Sequence, residues 1–111
     1  MKKCQIEEVL TMDELYIYRN ELKNKIIPKY KIIGISSELI LSKELFKNNI
    51  DIVPFIEIVF STSFRPYVIK SRTLLLARVS SLINDYSDEQ LFNVKTKLYN
   101  YIGKALTNQN E

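Results

Sequence analysis

The chain has 111 residues, 46% of them hydrophobic, and a net charge of +3. That length suits a single domain, residues 1–111, with one modest core. There is no histidine, and Cys4 is the only cysteine. The commonest general base, histidine-activated nucleophiles, an intrachain disulfide and Cys/His zinc sites are therefore excluded.

The two glycines, Gly34 and Gly103, are too few for a phosphate-cradling loop. No Glu-x-x-His or Asp-x-Asp-x-Asp arrangement offers metal ligands. No metal, cofactor or enzymatic activity is expected. No apolar run approaches the roughly 18 residues of a membrane span. The N-terminus is charged with no apolar stretch behind it, so neither a secretory leader nor a membrane partner is expected. With a lone thiol, these features suit the cytoplasm.

Thr11 and Glu14 make a T-x-x-E capping box, which predicts a helix from Met12. Leu15, Tyr18, Leu22 and Ile26 define its buried side, and Pro28 ends it. Lys29 to Ile35 reads as a loop or a short strand. Ser36 or Ser37 is the next candidate N-cap, ahead of an apolar face of Leu39, Ile40, Leu41, Leu45 and Phe46; Asn48-Asn49 is the stop. Asp51 can cap a short third helix with Pro54 in its first turn. Ile52, Phe55, Ile56, Val59 and Phe60 share one side of it.

Pro66 suits the first position of a helix over residues 66–84. Val68, Ile69, Leu75, Leu76, Val79, Leu82 and Ile83 fall within one arc of about 140° at 100° per residue. Arg72 projects from the centre of that arc. Its guanidinium stays charged, so it must find a carboxylate, a set of carbonyls or a ligand, or reach out along its stem. Glu57 is the best internal mate, which predicts a buried Glu57–Arg72 ion pair. Ser87 and Gln90 form an S-x-x-Q capping box for a last helix. Leu91, Val94, Leu98, Tyr101, Ile102 and Ala105 line its inner arc; Glu89, Gln90, Asn93, Thr96, Lys97 and Asn100 line its outer one. Gly103 can break it, or the helix can run on to Leu106, and Thr107 to Glu111 should fray.

The sum is an all-α fold, a compact bundle of four to five helices. The alternative is α+β, with short strands near residues 31–36 and 56–60.

Seven tyrosines are too many for one small core to bury with every hydroxyl satisfied. Aromatics at helix margins, near arginines, have the composition of a protein contact patch. The expectation is a small binding protein of bacterial or phage type that regulates or inhibits a protein partner, as adaptors, antitoxins, immunity proteins and anti-host factors do. Self-association as a homodimer is compatible with the amphipathic last helix. The candidate partner-binding residues are Arg72, Tyr67, Lys70, Arg78 and Lys97. The alternative is a helix-turn-helix-like regulator of nucleic acid, reading with residues 66–84 and using the cluster Lys23, Lys25, Lys29 and Lys31 around Tyr30.

Overall fold

The computed structural model describes residues 12–109, and every described element is helical. Six α-helices follow in order: α1 (Met12–Glu21), α2 (Lys29–Leu41), α3 (Ile52–Phe60), α4 (Pro66–Ile69), α5 (Arg72–Asn84) and α6 (Asp88–Gln109), with a 3₁₀ turn at Asn49–Asp51 before α3. The all-α expectation holds, with more helices than the four or five read from the pattern. The α+β alternative fails: residues 31–36 and 56–60 are both helical. α2 packs on α5, α1 and α3 pack on α6, and α4 folds against the start of α5.

α1 begins where predicted; Thr11, the other half of its capping box, lies outside the described residues. Leu15 and Leu22 are buried as expected, but Ile26 is 88% exposed. The helix ends at Glu21 rather than at Pro28, and tight backbone bonds such as Lys23 N to Asn20 O at 3.2 Å turn the chain. Lys95 Nζ then takes the Asn24 carbonyl at 2.8 Å, which ties this turn to α6.

Residues 29–35, read as loop or strand, form the first half of α2. Three β-branched isoleucines weaken local helix propensity, but burial along the helix overrides it. Ile32, Ile35, Leu39 and Ile40 recur at helical spacing and are all buried. Pro28 opens this helix instead of only closing the previous one, sitting at its N-cap in extended conformation. Ser36 and Ser37 are therefore interior residues, not caps. Ser37 Oγ donates back to Ile33 O at 2.6 Å, the local bond that hydroxyls make inside helices.

α3 follows the predicted pattern. Ile52, Phe55, Ile56, Val59 and Phe60 are buried, while Glu57 and Ile58 face solvent. Asp51, expected to cap α3, instead accepts the Asn48 N–H at 2.9 Å and closes the 3₁₀ turn. The single helix expected over residues 66–84 is broken after Lys70. Ser71 has extended φ/ψ, and its Oγ accepts the Leu74 N–H at 3.2 Å, a new N-cap. Periodicity could not show this break, because the apolar residues on its two sides, Val68 and Leu75, both reach the core. α6 opens with the predicted box: Gln90 N–H donates to Ser87 Oγ at 3.2 Å and Ser87 N–H to Gln90 Oε1 at 2.9 Å. Gly103 does not break α6, and the helix continues through Thr107 to Gln109.

The centre is aromatic. Phe55 is fully buried and touches three rings: Tyr101 at 4.9 Å, Phe46 at 5.4 Å and Phe60 at 5.8 Å between centroids. Edge-on and tilted packings of this kind add to the burial they accompany. Burial pushes the Tyr101 and Tyr86 hydroxyls above the ordinary value of 10.0. Tyr18 is pushed up too, by burial first and then by Glu38, Glu14 and Glu21. A raised phenol makes its contribution in full below the unfolded value and loses it as pH climbs through the folded value. Tyr101→Phe should therefore retain near wild-type stability at neutral pH and lose less than wild type above about pH 10. Alkaline denaturation that runs parallel in the two proteins would contradict this.

Candidate functional site

Arg72 is the first residue of α5, and its guanidinium is partly buried at the far end of α2. Nη1 donates to Ile40 O at 3.0 Å and to Ser42 O at 3.3 Å. Nη2 donates to Phe46 O, and Nε donates to Asn49 Oδ1 at 2.8 Å. Ile40 belongs to the last turn of α2, whose carbonyls lack helical partners and carry the negative end of the helix dipole. A cation in the first turn of α5 meets that helix's own positive pole, a penalty of about 0.3–1 kcal/mol. Each hydrogen bond from a charged donor is worth about 1.5–3 kcal/mol, so the acceptors decide the position.

Of the partners open to this arginine, the structure selects carbonyls. The buried Glu57–Arg72 ion pair is not formed. Glu57 lies on the exposed side of α3, while the arginine points to the α2 terminus. Its spacing along α3 is the reason, because the neighbouring Ile56 and the Val59–Phe60 pair take the inward positions. Asn49 completes the arrangement: its Nδ2 donates to Ile69 O at 2.9 Å, so one amide joins the Arg72 cation to the end of α4. Most of the Arg72 donors are committed inside the fold, which removes it from the candidate docking residues.

Tyr67, Lys70 and Arg78 remain on the surface, and Tyr67 and Arg78 come together. The Arg78 guanidinium lies 5.9 Å from the centre of the Tyr67 ring, and its Nη2 donates to the Tyr67 hydroxyl at 3.2 Å. Tyr67 is nonetheless 56% exposed. Beside it, Asn49, Ile50, Phe64, Pro66, Ile69 and Lys70 line a shallow groove. Ile50, at 64% exposure, leaves a large apolar side chain in water there. From Ile58 to Asn84 the chain contains Arg65, Lys70, Arg72 and Arg78 and no carboxylate. The Asp51 carboxylate on the neighbouring turn is engaged by the Asn48 N–H. Lys97 does not join this group through any observed contact; its Nζ donates to Ser61 Oγ at 3.1 Å, at the end of α3.

The lysine cluster is partly consumed by the fold. Lys29 Nζ donates to Asn84 O at 2.8 Å, and Lys31 pairs with Glu21 at 3.3 Å. Lys23, Lys25 and Tyr30 remain exposed. A recognition helix over residues 66–84 does not exist as one rod, because Ser71 restarts it. Among the described residues no group of His, Cys, Asp or Glu could hold a metal ion, and no helix is long and apolar enough to cross a membrane. Sequence reasoning missed Asn49, and only its spacing before a helix could have pointed to it. It also missed Arg19, which stacks on Tyr99 at 4.4 Å across α1 and α6.

Arg72→Met should leave the carbonyls of Ile40, Ser42 and Phe46 and the Asn49 amide oxygen without their donor. We expect a loss of about 3 kcal/mol, read as a fall in Tm of roughly 10–20 °C. Glu57→Leu should cost little and should not rescue Arg72→Met; thermal unfolding of the two single variants and the double variant measures the coupling. Rescue would restore the ion pair as the explanation. Comparison of the chain with protein-family models, with curated proteins and with solved structures finds no match in any of the three.

Proposed function

We propose that this is a small, non-enzymatic cytoplasmic protein that regulates or inhibits a partner protein by docking through the α4 face and the adjoining side of α5. The observation that carries the proposal is Tyr67, left mostly exposed yet oriented by Arg78, beside an apolar groove with an exposed Ile50. An oriented aromatic next to an arginine is the side-chain chemistry of interface hot spots. The surrounding segment carries cations without a carboxylate of its own. The partner it fits presents an apolar side chain to the groove and carboxylates to Lys70 and Arg78. A sequence without histidine lacks the commonest general base, which is the ground for reading binding rather than catalysis. Regulatory proteins of bacterial or phage type have this size and economy, and a second copy of the chain is an admissible partner.

The test places a photoreactive side chain at position 67 and irradiates the protein in its native host. A specific adduct that disappears when Lys70→Glu and Arg78→Glu are introduced together supports the proposal, provided circular dichroism shows the helices intact. An adduct indifferent to those charge reversals sinks it. Nucleic acid is the competing partner, and it makes a distinct prediction: retention of DNA that falls steeply as salt rises. DNA binding of that kind, with no protein adduct, would replace our reading.

A further inference from the structure

The groove between α1 and α6 has the chemistry of an anion site. Asn100, Gly103, Lys104 and Thr107 recur on α6 at i, i+3, i+4 and i+7, one stripe of a helix. With Arg19 of α1 they line an open groove, and that lining contains no carboxylate. The Arg19 guanidinium is fixed from two sides. The Tyr99 ring lies under it at 4.4 Å, and Gly103 lies against its edge. A Cβ at position 103 would stand 3.0 Å from Nη2 and 3.2 Å from Nε, so the arginine fits there because the side chain is missing. Yet Arg19 Nε is buried and has no hydrogen-bond partner. This cation is held by packing, not by acceptors, unlike Arg72. Lys104 and Asn100 beside it are exposed, and neither is held by a hydrogen bond or ion pair among the described residues. The Thr107 hydroxyl is spent on Gly103 O at 3.1 Å, and the buried Arg19 Nε is covered by Gly103, so the available donors are the terminal Nη groups of Arg19, Lys104 and the Asn100 amide.

We propose that this groove binds a small phosphate-type dianion, as the free ion or a phosphate monoester. Two cations match the charge of about −1.5 to −2 on such a group, and a planar guanidinium with an ammonium beside it is a common way of holding phosphate oxygens. The lining is local, one arginine and one lysine, and it lacks the track of cations that a nucleic-acid backbone requires. The site is separate from the Tyr67 face and does not depend on it.

Titration of the full chain with sodium phosphate, at ionic strength held constant with sodium chloride, tests the proposal by amide and side-chain NMR. Saturable shifts at Arg19, Asn100, Gly103 and Lys104 are expected, with a dissociation constant on the order of 1 mM. Lys104→Gln, a surface change, should weaken binding about threefold. Gly103→Ala should abolish binding while the helix signals persist, since alanine favours the helix and only the end of Arg19 must move. Equal shifts with chloride alone, no saturation, or unchanged binding in both variants would overturn the site. So would a short DNA duplex that displaces phosphate with a steep salt dependence, which would make the ligand a phosphodiester backbone.

Discussion

One guanidinium holds the end of α2 in place. Arg72 gives its donors to Ile40, Ser42, Phe46 and Asn49, which lie on a single stretch of chain that leaves α2 and turns back toward α3. That stretch has irregular backbone, and buried irregular backbone needs partners for its carbonyls. The arginine supplies them from one side chain. The consequences reach the core directly. The residue whose carbonyl Arg72 takes, Phe46, places its ring against Phe55 and Tyr101, and so joins α2's exit to α3 and α6. Asn49, held by the same cation, closes the end of α4.

Other cations repeat this use of charge on a smaller scale. Lys95 ties the α1–α2 turn to α6, Lys29 ties the start of α2 to the end of α5, and Lys97 reaches the end of α3. Lys95 is almost wholly buried and also lies 5.0 Å from the Phe92 ring. Lys29, on the Asn84 carbonyl, stabilises a helix end, where the dipole is negative and the last carbonyls lack partners; Lys95 satisfies a turn carbonyl, and Lys97 reaches a hydroxyl. The exposed contacts among them contribute little each. The net positive charge of the chain is thus partly an internal matter, and it is not by itself the footprint of a nucleic-acid partner.

The surface that the fold does not use carries two further basic groups. Tyr67 and Arg78 support one another without being buried, next to a groove from which Ile50 protrudes. Arg19 and Lys104 form a second, separate group at the α1–α6 groove. The contrast between Arg72 and Arg19 is instructive. Both are positioned by their surroundings, but one is surrounded by acceptors and the other by a ring and a glycine. Arg72 makes four hydrogen bonds, and Arg19 makes none among the described residues.

Periodicity and capping chemistry determined most of the elements. α3, the apolar arc of residues 66–84 and the start and inner face of α6 are local patterns, because side chains three and four apart share a helix face whatever the rest of the chain does. The need of Arg72 for a polar partner was also legible, since its charge is a property of the residue alone. The identity of the partner was not: the Ile40, Ser42 and Phe46 carbonyls are close to Arg72 only after α2 and α5 have packed, and no pattern of residue types marks a backbone oxygen as available. The same reason explains the helix over residues 29–35, where burial against α5 outweighs the propensity of three isoleucines, and the break at Ser71, where folding α4 back on α5 matters more than continuing one rod. Local chemistry fixes what each segment requires; the packing of distant segments decides which group meets that requirement.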